Sequence, residues 1–566
     1  MPRPRRRLPY RMPPEITKRR AGHYPVIIVG GGPTGLTAAL DLARRGHDCL
    51  LLDKDDALSE GSRAICFAKR TLEIYDRLGI GTKLRERGVN WNLGRIFFGE
   101  EEVYGFDLLP EKDQCNPAFV NLQQYYLEDF LIEALERAEL ADLRWSNRVV
   151  AIAPGERSVH LRVETPDGPY EVSCDWLIAA DGAHSSVRAM LGRDFEGRVF
   201  KDHFLIADVR FEHAHPDERW FWFDPPFNPG RSALMHKQPD DVWRLDFQLG
   251  WDIDKEAARR EENVTPYVRG MIGKDTPFSY EWISIYTFQC RRLESFLHGR
   301  VIFAGDAAHL VSPFGARGAN SGIQDVDNLV WKLDLILRGT ALPALLASYD
   351  TERVAAADEN IRNSTRATDF ITPKTPVSRA FRDAVLELAR EHPSMRPFIN
   401  SGRLSVPAIY ADSPLNTADA NAFEGGLVPG SPAMDAPVVR QGEDGWLLAA
   451  LGKAFHALAF ASEEEEADEI VQSLEALADD AVPILPRIIL PPDCTGKAAG
   501  ESVLVDRDGL LAERYDGRPG TVYLIRPDQH VAARFRTLDP KALRVARDRS
   551  IGQVQTAGRE ACRVRA

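Results

Sequence analysis

Three clusters of glycine and aspartate carry most of the chemical signal in the chain. The first is Gly30-Gly-Gly-Pro-Thr-Gly35, a Gly-x-Gly-x-x-Gly spacing placed directly after the apolar run Tyr24 to Val29. The second is Asp181-Gly-Ala-His-Ser-Ser-Val-Arg188, again after an apolar run, Trp176 to Ala180. The third, Gly305-Asp-Ala-Ala-His309, closes the run Val301 to Ala304 and leads through Pro313-Phe-Gly-Ala-Arg-Gly-Ala-Asn320 into a helical pattern. Glycine at such points lets the backbone turn tightly and lets a pyrophosphate approach free N–H groups at a helix N-terminus, where the helix dipole favours negative charge. Asp53 ends a second apolar run, Cys49 to Leu52, about 20 residues beyond the glycines, the place from which an acid accepts hydrogen bonds from a ribose. Strand, glycines, helix, strand and acid arrive in that order, which predicts a dinucleotide site built from Gly30, Gly32, Thr34, Gly35 and Asp53.

These residues need elements to hold them. Pro33 suits a first helical turn, and Leu36, Leu40 and Ala43 give the helix after it a buried face. Ile323, Val326, Val330, Leu333 and Leu337 recur at helical spacing, and Ser321 with Gln324 fits a capping box, which predicts a helix over 321–337. The helical pattern resumes from Leu342 to Arg366. Arg63, in the loop before a helix that begins near Lys69, is either a solvated side chain or a bidentate partner for a pyrophosphate. A glutamine of Gln123-Gln124 opens another helix and could reach a cofactor. Three strand-then-glycine turns, at 30, 181 and 305, imply one sheet whose carboxyl ends converge on a single ligand.

The segment 201–298 differs in character. Its alternating runs (Phe204–Arg210, Trp220–Phe223, Ser232–His236, Val242–Gln248) read as antiparallel strands with one apolar face. His236 and Gln248 lie on these strands and either orient a substrate hydroxyl or serve as satisfied structural polar groups.

Composition narrows the classes. At 566 residues the chain needs two or three domains, and its formal net charge of -13 argues against nucleic acid as the main partner. It has no run of about 18 apolar residues, so no membrane span is expected. The seven cysteines are scattered, with no Cys-x-x-Cys and no His/Cys cluster at metal spacing; free thiols in a cytoplasmic protein, and no metal site, are expected. Residues 1–22 are basic and proline-rich and read as a disordered tail. A Pro/Gly-rich passage, 407–437, reads as a linker to a last domain, 438–566, with strands near Ala457–Phe460, Ser502–Val505 and Thr521–Ile525 and an acidic helix at Glu463–Ala478.

With GGGPTG, DGAHSSVR and GDAAH in this order, the stretch from about 24 to 360 resembles the class A flavoprotein aromatic hydroxylases of the para-hydroxybenzoate hydroxylase fold group. The likeness is strongest to the 3-(3-hydroxyphenyl)propionate hydroxylase and phenol hydroxylase-like members, which carry a C-terminal thioredoxin-like domain. The resemblance implies an α/β fold: a Rossmann-like FAD-binding domain (23–200 and 299–406), an inserted antiparallel substrate sheet (201–298), and a thioredoxin-like domain without Cys-x-x-Cys (438–566). It implies that Asp53 binds the adenosine ribose, that Arg63 and Gln124 contact FAD, and that Asp181 serves FAD and the passing nicotinamide. It further places Gly305 and Asp306 on the ribityl chain, and Pro313, Gly318, Ala319 and Asn320 beside the flavin ring. The expected reaction uses NADH or NADPH and dioxygen to hydroxylate a small phenolic substrate through a flavin hydroperoxide, in a cytoplasmic protein with no membrane partner and with a homodimer as the expected assembly. Two departures stand out: Asp53, where many relatives have Glu, and Ala316-Arg-Gly-Ala319, which puts Arg317 in the flavin loop. Trp220-Phe-Trp-Phe-Asp-Pro225 approaches a motif of flavin-dependent halogenases, but strand packing explains it better. A halogenase, a non-oxygenating flavin reductase and a non-catalytic flavin-binding protein are the alternative readings.

Overall fold

The computed structural model describes residues 6–59, 61, 63–212, 216–399, 404–494 and 500–553. It divides into two units, one of Met1–Lys112, Asn116–Val326 and Ala357–Val406, the other of Asp113–Cys115, Asp327–Ala356 and Pro407–Ala566. In chain order the first unit is built on β1 (Gly22–Val29), α1 (Pro33–Arg44), β2 (Cys49–Leu52), β3 (Cys66–Ala68), β4 (Leu93–Phe98) and β5 (Glu101–Asp107). There follow α2 (Gln124–Glu136), β6 (Ala141–Arg144), β7 (Gly168–Ala179), α3 (Ser186–Met190), β8 (Glu196–Arg210), β9 (Arg219–Phe223), β10 (Ser232–Lys237) and β11 (Val242–Gln248). The series closes with α4 (Glu261–Ile272), β12 (Ser279–Arg292), β13 (Val301–Phe303), α5 (Gly318–Leu337) and α6 (Leu346–Ile371), of which 318–326 and 357–371 belong to this unit.

The first sheet runs in the order β13-β7-β1-β2-β6, and these neighbours are parallel. Val29 pairs with Ala179 and with Leu52, and Ala179 pairs with Phe303, so the three strands that precede the glycine turns end side by side. Val26 to Ile28, Leu50 to Leu52 and Leu177 to Ala179 are fully buried, as the continuous apolar runs of a parallel sheet covered on both faces require. The convergence expected from the sequence is what the fold delivers.

The second sheet has the order β12-β8-β11-β10-β9-β4-β5. Side chains alternate across it. On one face Leu205, Ala207, Trp222, Met235, Trp243, Leu245 and Phe247 pack on Val264, Val268 and Ile272 of α4. Each such side chain fully buried contributes roughly 1.5–3 kcal/mol of transfer free energy. The opposite face carries Phe204, Phe221, Phe223 and Leu234, which pack on Phe314 of the loop before α5 and on Ala367 and Ile371 of α6.

Several expectations change. The strands are not confined to 201–298: β8 starts at Glu196, and β4 and β5 join from the first hundred residues, β4 pairing in parallel with β9. The basic tail is not a disordered segment from residue 6 onward, while residues 1–5 lie outside the described residues. A helix spans Pro14–Lys18, and its Glu15 is buried against Arg144 at 2.8 Å. α5 begins at Gly318 rather than Ser321; the Ser321 N–H donates to the Arg317 carbonyl at 2.7 Å, so the proposed cap residue already lies within the first turn. The passage 407–437, expected as a linker, belongs to the second unit and buries Ala433, Asp435 and Ala436.

In the second unit, Phe455–Phe460 pairs in parallel with Ile484–Leu490, which pairs in parallel with Val503–Asp506. On its other side Phe455–Phe460 is antiparallel to Val522–Ile525, which is antiparallel to Val531–Phe535. The helices Glu464–Ala478 and Pro540–Ser550 contribute Leu474, Leu477, Leu543 and Ala546 to the core on one face. A charged cluster is sealed inside this unit: Glu352 receives Lys332 Nζ at 2.8 Å and Arg526 at 2.6 and 3.1 Å, and Arg526 also holds Asp528.

Candidate functional site

The site forms where β1, β7 and β13 end. Gly30 adopts φ 114°, a conformation that L side chains rarely adopt, and a Cβ there would lie 2.3 Å from the Ala180 carbonyl oxygen. A Cβ on Gly35 would lie 1.9 Å from the Gly30 carbonyl oxygen. Both glycines are therefore dictated by the turn itself. Gly32 differs: a Cβ there would meet nothing within 4 Å, so the open side of the turn faces space in front of the N-terminus of α1. That is the geometry a pyrophosphate needs.

Thr34 joins the first motif to the third, since Cβ atoms on Gly305 and Gly322 would lie 2.6 and 2.7 Å from its Oγ1. Asp53 accepts from the amide of Gly31 and, at 2.7 Å, from that of Asp55. Burial raises its carboxyl pKa against the lowering effect of those two amides. Gln124 Oε1 accepts from the Ala64 amide at 3.1 Å and its Nε2 donates to Glu128 at 2.8 Å. Gln124 thus fixes the loop of Arg63, whose own side chain is exposed.

Asp306 is the revealing acid. Its side chain is accessible and makes no hydrogen bond among the described residues, yet burial raises its pKa, with His309 and Arg63 acting the other way. Tyr286 of β12 shares this position: it is 43% exposed, but burial and the charge of Asp306 push its hydroxyl up to about 12, opposed by Arg63. Asp306, Arg63 and Tyr286 therefore stand close enough for their charges to act on one another.

Other expected residues have tasks that the sequence did not disclose. Asp181 accepts from Ser185 and Ser186 hydroxyls and from the Val187 amide at 3.0 Å, which ties it to the start of α3. The Asn320 side chain joins α5 to β3, accepting from the Ala68 amide at 2.8 Å and from Thr71 Oγ1 at 2.6 Å while donating to the Cys66 carbonyl at 2.9 Å. Pro313 is exposed, and Gly318 and Ala319 are half-buried at the start of α5. Arg317 is buried and turned away: it packs across Gly315 and reaches Ser364 of α6 at 3.4 Å. Two positioning residues were missed. Asp325 Oδ2 accepts from the Gly305 amide, and Arg188 donates to the Ala307 carbonyl at 3.1 Å and the Ala183 carbonyl at 2.7 Å, binding the second motif to the third. An acid seven residues into a helix and the last residue of DGAHSSVR carry no local signal for such long-range contacts.

On the second sheet, His236 is buried with Nδ1 lacking a hydrogen-bond partner and lies edge-on to Trp91. Burial, then the charges of Arg219 and Arg244, hold its pKa well below the ordinary histidine value, so the ring is neutral. Gln248 is committed to the sheet, its Oε1 accepting from the Ser232 amide at 3.0 Å. Among the described residues no group of three or more His, Cys, Asp or Glu is placed to hold a metal ion.

A parallel sheet with glycine turns at adjacent strand ends, an acid at the end of the second strand and an inserted antiparallel sheet define an FAD-binding enzyme fold. The match to known proteins agrees. Residues 23–364 fit the FAD binding domain family, and the chain belongs to that family of FAD-dependent monooxygenases. It is similar to the 12-dehydrotetracycline 5-monooxygenase/anhydrotetracycline 6-monooxygenase of Streptomyces rimosus, at 32% identity over 64% of this chain and 73% of that protein. It is 27% identical to pentachlorophenol 4-monooxygenase of Sphingobium chlorophenolicum, over 90% of this chain and 93% of the relative. It is 26% identical to the 3-(3-hydroxy-phenyl)propionate/3-hydroxycinnamic acid hydroxylase of Mycolicibacterium smegmatis, over 90% of each. Among solved structures, the flavin-dependent monooxygenase PieE in complex with FAD and substrate superposes with TM-score 0.78 at 24% identity, covering 94% of this chain and 99% of that one, a likeness of fold.

Proposed function

We propose that the protein hydroxylates a phenolic aromatic compound, using NADH or NADPH and dioxygen. The observation that carries this reading is the meeting of Asp306, beside the third glycine turn of the first sheet, with Arg63 and with Tyr286 of the second sheet, whose charges act on one another. FAD fits the residues present: open space before Gly32, an acid at Asp53, and an unpartnered accessible carboxylate at Asp306. When bound, FAD supplies the redox chemistry, taking electrons from the nicotinamide and delivering one oxygen atom of dioxygen to an electron-rich ring.

The chain's own residues do the rest. The Gly30–Gly35 turn and the N-terminus of α1 receive the pyrophosphate, Asp53 accepts from the ribose, and Arg63 adds a positive charge near Asp306. Pro313 and the amides of Gly318 to Asn320 present the N-terminus of α5, whose partial positive charge favours negative charge at the flavin ring. Asp181 serves the cofactor edge from the start of α3. The second sheet receives the substrate, with the apolar face of Phe204, Phe221 and Phe314 excluding water from that side. The relatives' printed names, a hydroxylase of a hydroxyphenyl acid and a pentachlorophenol monooxygenase, support a phenol as substrate.

A thioredoxin-like reading of the C-terminal region is supported by its strand pattern, two parallel pairings followed by two antiparallel ones and a closing helix. The reading keeps a homodimer and a cytoplasmic location; free thiols at all six described cysteines support the latter. The decisive experiment loads the protein with FAD and follows NADH and NADPH oxidation, oxygen uptake and product mass with a panel of phenols. Stimulated oxidation with a product one oxygen heavier is the expected result. No stimulation by any phenol overturns the reading.

A further inference from the structure

The face of the second sheet that looks toward the flavin motifs can be read row by row from its register. One row crosses the sheet as His236, Arg244, Asp208 and Trp282. The next crosses as Phe221, Leu234, Asp246, Ile206 and Ser284. Directly opposed residues of a sheet point to the same side, so all of these belong to one face. His236, Arg244 and Asp208 are buried; Arg244 holds Asp208 through Nε at 2.9 Å and Nη2 at 3.2 Å. In the next row, Phe221 and Leu234 are buried, whereas Asp246, Ile206 and Ser284 are partly open.

Asp246 is the one titratable group of that open strip, and no hydrogen bond to either of its oxygens is formed by the described residues; Oδ1 is buried in that condition. An unpartnered buried carboxylate oxygen is costly unless something bonds to it. The strip leads across β8 to Ser284 and, two residues on along β12, to Tyr286, which feels the charge of Asp306. With strands about 4.8 Å apart, Asp246 and Ser284 stand roughly 10 Å from each other with Ile206 between them, a partly open strip about as wide as an aromatic ring. A second link runs through β3: the thiol of Cys66 feels the charges of Arg219, Arg244 and Asp246, while the Cys66 carbonyl accepts from Asn320 at the start of α5.

We propose that Asp246 is a catalytic residue that accepts the proton of the substrate's phenolic hydroxyl. The inference rests on the hydroxylase reading above. The phenol O–H bond breaks, an O–H bond forms at the Asp246 carboxylate, and the electron pair stays on the phenolate oxygen, enriching the ring that is to receive oxygen. The proton returns to the product oxygen before release, so no further reactant is needed. The groups facing Asp246 fit the task. Arg244 on the same strand, Asp208 on β8 and Arg219 on β9 leave a net positive surround for the phenolate, and His236 on β10 is neutral. Burial pushes the Asp246 carboxyl up to about 7, with Arg244 opposing and Asp208 adding to the rise. A base with a pKa near the working pH is what proton transfer favours.

The test uses full-length FAD-loaded protein, Asp246→Asn and Asp246→Glu, with 4-nitrophenol as a coloured probe. Wild type is expected to bind the probe as phenolate at a pH where the free probe is mostly protonated, and Asp246→Asn to bind it in the neutral form. With the best phenol, kcat/KM of wild type should rise with pH through about 7; Asp246→Asn should lose this limb and about 100-fold in kcat. Asp246→Glu should keep both the limb and the phenolate band. The proposal is overturned if Asp246→Asn shows the phenolate band, if its rate stays within about tenfold of wild type, or if wild type does not bind the probe. Should Asp246→Asn fail to hold FAD, the Glu variant decides alone: loss of its phenolate band overturns the proposal. A phenolate band in wild type without phenol-stimulated NAD(P)H oxidation leaves Asp246 standing and fells the hydroxylase reading instead.

Discussion

Asp325 Oδ2 lies 2.7 Å from His309 Nε2 inside α5's buried face, and the same oxygen accepts the Gly305 amide at 2.9 Å. One carboxylate therefore fixes both ends of the Gly305–His309 turn. Replacing Asp325 by Ala would leave a buried amide and a buried imidazole without their acceptor, a loss of about 1–3 kcal/mol for each group stranded. The expected outcome is a lower melting temperature together with weaker FAD retention, read by calorimetry and by flavin fluorescence on the same sample. Normal FAD affinity in a destabilised variant would show that the turn does not depend on this carboxylate.

The glycines of the first motif separate folding from binding. Gly35→Ala drives a Cβ into the Gly30 carbonyl and should destabilise the FAD-free protein, whereas Gly32→Ala meets open space. Gly32→Ala is therefore expected to leave the melting temperature of the FAD-free form nearly unchanged while lowering FAD affinity tenfold or more, about 1.4 kcal/mol. An unchanged FAD titration would remove Gly32 from the pyrophosphate path.

Asp306 gives a pH-dependent prediction with a definite sign. Its folded-state pKa is raised by burial, so ionisation costs stability. The penalty is absent below the ordinary carboxylate value and grows as pH rises from there through the folded value. Asp306→Asn should raise the melting temperature of the FAD-free protein at neutral pH, lose that advantage in acid, and bind FAD less tightly. Equal melting temperatures at pH 7 would count against the assignment.

The charge cluster of the second unit is the opposite case. Arg526 and Lys332 hold the Glu352 carboxyl well below its ordinary value against the cost of burial, and burial brings Lys332 down to about 8. Removing Glu352 strands the buried Lys332 cation and leaves Arg526 with Asp528 alone, which costs about 3–5 kcal/mol. Glu352→Ala should open this unit first, seen as early loss of amide protection in 455–535. Because the Glu352 pKa is depressed, its stabilisation is present at neutral pH and fades as pH falls through the ordinary carboxylate range.

Much of this was legible in the chain because local signals coincided. Apolar run, glycine turn and acid repeat at 30, 181 and 305, and the sheet aligns them as the pattern requires. The strands β8 to β11 announced themselves by alternation. What stayed hidden is long-range. Leu93–Phe98 alternates weakly, and nothing nearby indicates that it pairs with Arg219–Phe223 more than a hundred residues on. Ile484–Leu490 was missed because Pro486 argues against a central strand, yet the strand is paired on both sides. Arg317, suspected at the flavin because of its position in the loop, is drawn inward by Gly315 and Ser364. Asp246 had no motif at all; only the register across three strands sets it in an open row behind a sealed one.

The glycine turns at 30, 181 and 305 lie outside the stretch 196–292 that carries the open strip. A lineage can therefore change which molecule it accepts by drift at Ile206 and Ser284 while Asp246 and the glycine turns stay as they are. Those two positions form a dial on an otherwise fixed engine, and recombining the segment between relatives is a short route to new substrate ranges.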